Sequence, residues 1–264
     1  MNTILLRTSC ITALTVVSAT AAAQGEGQGS SCAALPSYSQ LKTALTAARE
    51  QANGGFNLDM WGSVVNRDGI VCAVAFTGDD RGAQWPGSRV ISAQKANTAN
   101  AFSLPTLALS TANLYAAVQP GGSLYGLQHS NPVDTQVAYQ GNASRFGQSN
   151  DPMVGSRIGG VNVFGGGLAL YDENQQLIGA IGVSGDTSCA DHNIAWRTRH
   201  ALNLDFVPGG VSAQGDDNIN YIGEVTDPSL ANDFSHPICA IAGEDKVSDI
   251  SANLPPIQEP EEAQ

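Results

Sequence analysis

Two stretches of this chain read as strand, turn, strand, and their placement limits the folds open to it. Residues 57–65 and 70–77 are joined by Asn66-Arg67-Asp68-Gly69, and residues 158–171 and 177–183 by Asp172-Glu173-Asn174-Gln175-Gln176. Both joins are turn chemistry, so each stretch predicts a β-hairpin. The run 70–77 is nearly all apolar, which predicts a central strand. Gly165-Gly166-Gly167, inside the first strand of the second hairpin, predicts a bulge or a close approach by a ligand or a neighbouring chain. Helical patterns fill the rest. Residues 37–52 place Leu41, Leu45, Ala48 and Ala52 on one face, and Gly54-Gly55 stops them. Residues 79–87 read as a loop and 88–101 as a helix capped by Ser88. Ala93, Ala96 and Ala99 are small enough there for another backbone to come close. A helix is expected over 105–118, ended by Pro120-Gly121-Gly122, and another over 188–202, where Ser188 and Asp191 have capping-box spacing. The order α-β-β-α-α-β-β-α makes the expected fold class α+β: one antiparallel sheet with helices packed around it. Strict βαβ alternation is missing, which argues against a doubly wound sheet or a TIM barrel.

The ends of the chain read differently. Residues 1–23 carry Arg7, an apolar stretch and Ala21-Ala22-Ala23, the pattern of a signal peptide cleaved after Ala23. The apolar stretch is too short to span a bilayer, and no second run of spanning length follows. The expected location is therefore exported, periplasmic or secreted, without a membrane span. Residues 24–36 read as a flexible lead-in, 119–157 as an irregular surface insertion, and 205–264 as a C-terminal extension ending in a disordered acidic tail over 251–264. Four cysteines remain after cleavage: Cys32, Cys72, Cys189 and Cys239. An even number in an exported chain predicts two disulfides. Three pairings are open and the sequence does not choose among them; pairing within each half, Cys32–Cys72 and Cys189–Cys239, is the expectation. The absence of CxxC spacing puts zinc well behind disulfides. Twelve basic side chains against 24 acidic ones give a formal charge of -12, which argues against nucleic acid as a partner.

Few motifs carry chemistry. Ser184 lies in Gly182-Val183-Ser184-Gly185-Asp186, where the second glycine comes one place too early for a nucleophile elbow. Phosphate-binding motifs are absent, and the adjacent carboxylates Asp79-Asp80 and Asp216-Asp217 read as solvated loop charge. The histidines say more. His192, Trp196 and His200 recur every four residues, on one helix face. Such a stripe can offer imidazole and an aromatic surface to a flat ligand, and an axial ligand for haem iron is one use; spacing alone favours satisfied histidines on a helix face. His129 and His236 fall in loop segments.

Two segments, SRVISAQKANTANAFSLPT (88–106) and GGGLALYDENQQLIGAIGVSGDTSCADHNIAW (165–196), resemble the GlcG/HbpS family of haem-binding proteins, also known as the DUF336 or haem-degrading family. The helix and hairpin at 37–77 fit the same pattern, so the resemblance defines a domain over 37–204 with the insertion 119–157. It implies a profilin-like α+β domain, assembly into homo-oligomers, and haem as the cofactor, with roles in haem sequestration or degradation. It implies a binding protein more than an enzyme. His192 becomes the iron ligand, Arg89 and Lys95 the propionate partners, and Trp196 a flank for the porphyrin face; Thr98 or Thr106 is an alternative oxygen ligand, with His200 a fallback. The export signal, four cysteines, insertion and extension make this a long-form member. The other reading is a small-molecule-binding or sensor accessory protein without haem chemistry.

Overall fold

Ser37 starts the first helix. Its side chain accepts the Gln40 N–H, and the Gln40 side chain accepts the Ser37 N–H, a complete capping box. In the computed structural model, which describes residues 32–222, 234–239 and 247–260, helix α1 runs Tyr38–Arg49. It buries Leu41, Ala44, Leu45 and Ala48, while Ala52 falls beyond its end and is exposed. Strands β1 (Trp61–Asn66) and β2 (Val71–Phe76) form the first hairpin. Asn66 Oδ1 accepts from Asp68 and Ile70 N–H, and Gly69 takes φ +74°, which fixes the turn. β1 starts at Trp61 instead of residue 57, because Phe56 and Leu58 turn their N–H groups to the Asp186 carboxylate.

Helix α2 spans Ser88–Phe102. Gly87, not Ser88, occupies its cap position, without a side-chain cap. The helix expected over 105–118 does not form. Leu104 and Leu107 bridge to each other, Ser103 Oγ takes the Leu109 N–H, and only the 3-10 turns Thr111–Leu114 and Ala116–Val118 follow. The insertion holds two one-turn helices, α3 (Leu127–Ser130) and α4 (Thr135–Ala138). It is irregular as expected, yet it buries Ala138 and Met153 in the cluster between α2 and the sheet, and Asp151 against Arg89 of α2. The second hairpin is β3 (Gly167–Tyr171) and β4 (Leu177–Ser184), followed by α5 (Ser188–Ala201). Thr187 caps α5, accepting from Ala190 N–H, so Ser188 and Asp191 are free for other bonds.

The four strands form one antiparallel sheet in the order β2-β1-β4-β3. β2 is therefore an edge strand. Its apolar run reflects cover on both faces, and its exposed backbone is met at Val71 by Ser156 O and Gly155 N–H from the insertion. One face packs on α1 and α5 through Leu41, Leu45, Val64, Ile181 and Ile194. The other packs on α2 and the insertion through Trp61, Val74, Ala93, Ala96 and Met153. The small alanines of α2 do admit a backbone: a Cβ on Gly182 of β4 would sit 2.5 Å from Ala96 N and closer still to Ser92 O. Of the three glycines at 165–167, two precede β3 and Gly167 is its first residue, so they do not interrupt the strand. This chain's own backbone approaches all three: Ser188 O at Gly165, Val183 O at Gly166 and Lys95 O, beside Thr111, at Gly167.

The C-terminal extension lies across α5. It supplies the short parallel pair β5 (Asn220–Ile222) and β6 (Ser235–Pro237) and helix α6 (Val247–Ala252). Trp196 Nε1 donates to Pro255 O at 2.8 Å, Ile257 reaches the core, and Gln258 bonds Asn203 and Asp205. Up to residue 260 the tail is thus packed rather than disordered. The described end of the lead-in is not a loose strand of chain either: Cys32 opens a 3-10 turn, and Leu35 is buried. The signal peptide over 1–23, the lead-in up to residue 31 and the last four residues lie outside the described residues. Both expected disulfides are present, with Cα–Cα distances of 5.5 Å for Cys32–Cys72 and 6.1 Å for Cys189–Cys239. No helix among the described residues is long and apolar enough to cross a membrane.

Candidate functional site

The α5 stripe is the first place to look, and it is closed. His192 is fully buried and Trp196 is 2 % exposed. Asn218 of the extension covers the imidazole, with Oδ1 3.1 Å from His192 Nε2, and His192 Nδ1 has no partner. The rings of His192 and Trp196 stand 6.1 Å apart. Burial pushes the His192 imidazole down to about 3, against the pull of the Asn218 bond, so the ring is neutral. His200 points out of the stripe to Asp205, Nδ1 to Oδ2 at 2.7 Å.

The two proposed propionate partners are already paired. Lys95 donates to Asp191 Oδ2 at 2.7 Å and to Val183 O at 3.0 Å. Arg89 forms a two-pronged pair with Asp151 and donates to Ala138 O at 2.7 Å. Thr98 Oγ1 bonds Gln94 O and takes the Asn162 N–H, so it too is committed, while Thr106 lies exposed in a turn. Among the described residues, His192, Lys95, Thr98 and Trp196 are therefore each buried and already partnered. They do not fit a porphyrin in this structure: the iron ligand is capped and the cation is neutralised.

The loop histidines separate. His129 is exposed at the end of α3, and His236 is buried in β6. His236 Nδ1 donates to Pro237 O at 2.6 Å, which leaves Nε2 to accept the Ser188 hydroxyl at 2.8 Å. Ser188 Oγ also accepts the Gly165 N–H. These bonds tie β6 and the glycine run to the start of α5. Ser184, the residue nearest an elbow pattern, ends β4 almost fully buried and receives no histidine bond among the described residues.

A cleft does open at the N-terminal end of α2. It has a volume of about 390 Å³ and is lined by Trp61, Arg81, Pro86, Val90, Tyr139 and Phe146, with Arg89 in its wall. Phe146 lies under the Arg89 guanidinium, 3.7 Å from carbon to ring centroid, and Trp61 packs edge-on against Phe76. Tyr139 is 58 % exposed at the mouth. Trp61 is buried, and its Nε1–H has no acceptor. Arg81 is exposed and forms no ion pair among the described residues. Sequence reasoning reached Arg89 but missed Trp61, Arg81, Tyr139 and Phe146. They come from β1, a loop and the insertion, and no periodicity links them.

The family model described as haem degrading protein HbpS-like matches residues 37–199, well over half of the chain. Among solved structures, a PduOC:heme complex is similar at 25% identity and TM-score 0.44, covering 63% of this chain and 91% of that one. The Klebsiella pneumoniae protein ORFY, of the DUF336 family, is similar at 27% identity and TM-score 0.42, covering 63% and 90%. HbpS itself is similar at 16% identity and TM-score 0.39, covering 62% and 86%. No curated protein matches the chain.

Proposed function

Since the chain belongs to the HbpS-like family of haem degrading proteins, we propose that it is an exported protein that binds haem, for sequestration or degradation. The family match is the observation that carries this reading. It takes in both hairpins, α2 and nearly all of α5, the whole sheet and the helices on its two faces. The pair of disulfides suits an oxidising compartment. The buried His192 stripe offers haem no entrance, so the ligand is to be sought at a surface. Binding is the activity proposed first, because no histidine lines the α2 cleft and no step of ring opening can be written on its residues.

Hemin titration of the mature protein tests the reading. A Soret shift saturating near one haem per chain is expected. No shift at stoichiometric hemin removes the haem proposal and leaves a small-molecule-binding or sensor role, which mass spectrometry of ligands extracted from native protein would identify. Incubating the complex with ascorbate under air separates the two activities: a persistent Soret band marks binding, and its loss with iron release marks degradation.

A further inference from the structure

We propose that the cleft at the N-terminal end of α2 is the docking site of a tetrapyrrole carboxylate, which lays its ring edge against Trp61, Tyr139 and Phe146 and sets a carboxylate at Arg81. The inference rests on the haem reading and gives it a place. Four observations support it. The cleft volume of about 390 Å³ lies at the small end of the range for small-molecule pockets, which is enough for one edge of a flat ring. Its walls are aromatic and apolar, which such a ring requires. The indole N–H of Trp61 is a buried donor without an acceptor, and buried donors of this kind are rare unless a ligand or water completes them. The chain as a whole carries a formal charge of -12, so an anion needs local positive charge.

Arg81 supplies that charge. Its neighbour Asp80 turns its carboxylate to the Gly82 N–H, and Asp79 lies on the same loop. Arg89, deeper in the wall, is neutralised by Asp151 and serves to hold Phe146 in place. Two other hollows of similar size among the described residues lack this combination. One, between α1 and the end of α5, is lined by Ser39, Thr43, Ala47 and Leu202, and another, beside α6, by Gln214, Asn218 and Tyr221; neither contains a cation.

The test uses two probes on the mature, disulfide-bonded protein: hemin, and iron-free protoporphyrin IX, whose binding owes nothing to an iron ligand. Both are expected to bind the parent chain. Arg81→Gln should weaken both about tenfold, the loss of one charge-assisted bond. Tyr139→Ala should do the same, and Trp61→Phe, which keeps a packed ring and deletes the N–H, should weaken protoporphyrin and lose its fluorescence quenching. Arg81 and Tyr139 are exposed, so their variants keep the fold. Hemin and protoporphyrin affinities unchanged in both exposed variants would overturn the cleft while leaving haem binding intact. Failure of the parent chain to bind either porphyrin would instead remove the haem reading, and the inference with it. Variants that change the molar mass in light scattering but not the affinity would reassign the cleft to contact between copies of this chain.

Discussion

Lys95 of α2 and Asp191 of α5 form an ion pair, both almost wholly sealed from water. Burial pushes the Asp191 carboxyl up, to about 6, and the Lys95 ammonium down, because each charged form loses its hydration. Removing one partner strands the other. Asp191→Asn is expected to cost about 3–5 kcal/mol in denaturant unfolding, whereas Lys95→Met combined with Asp191→Leu costs less. A loss under about 1 kcal/mol in the single variant would contradict this view of the pair. The histidines set a pH dependence. His192 and His236 are held down to about 3 and about 4, so below pH 6.5 the unfolded chain binds protons that the folded chain refuses. Stability is full above pH 6.5 and falls as the pH drops through that window. Asp191 works the other way between 3.8 and about 6, one carboxyl against two imidazoles. Thermal unfolding should therefore show a falling Tm from about pH 7 to about pH 4.5, and His192→Gln should flatten part of the fall. The roles of these residues were not legible in the sequence. The partners that claim them, Asp151 for Arg89, Asp191 for Lys95 and Asn218 for His192, lie 62, 96 and 26 residues away.

The elements were more legible than their neighbours. Turn residues announced both hairpins, and the helical spacing of Leu41, Leu45 and Ala48 announced α1. The position of β2 did not follow, because an apolar run reports cover on two faces and not the presence of strands on two sides. The expected 105–118 helix failed where Ser103 and Ser110 captured local backbone and side-chain partners. The contact between α2 and β4 was half legible: Ala93, Ala96 and Ala99 predicted the close approach of a backbone, but nothing in the sequence named Gly182 of β4 as the place where it comes. Gly182→Ala would force its Cβ against Ser92 O and Ala96 N, which belong to backbone and cannot swing aside. A destabilisation of about 3 kcal/mol or more is expected, above the ordinary cost of overpacking. Gly87→Ala, at the α2 cap with open space around it, is the control and should be near neutral. Equal unfolding midpoints for the two variants would mean that α2 does not press on the sheet as described.

At the scale of the whole molecule, the described C-terminal segments act as a cover on α5, and the Cys189–Cys239 bond pins that cover to the helix start. Cysteine parity made two disulfides readable from the sequence, but the packing of the tail was not readable, because its anchors are isolated: Asn218 on His192, Ser251 on Asn193, Pro255 on Trp196. The bond closes a span of 50 residues, which restricts the unfolded chain more than the span of 40 closed by Cys32–Cys72, though the dependence on length is weak. Each pair replaced by alanines should therefore cost about 2–4 kcal/mol. The two losses should differ in kind. Cys32 and Cys72 join the 3-10 turn before α1 to the edge strand, so their removal should lower the global unfolding midpoint and leave the native surface unchanged. Cys189→Ala with Cys239→Ala should also loosen the cover before the sheet unfolds, since the disulfide is the covalent tie between the end of β6 and the start of α5, where the Ser188 to His236 bond also holds it. Limited proteolysis read by mass spectrometry should then cut near residues 234–239 in this variant under conditions where the parent chain and the Cys32→Ala, Cys72→Ala variant stay whole. Cleavage at the same rate in all three would show that the side-chain anchors hold the cover without the disulfide.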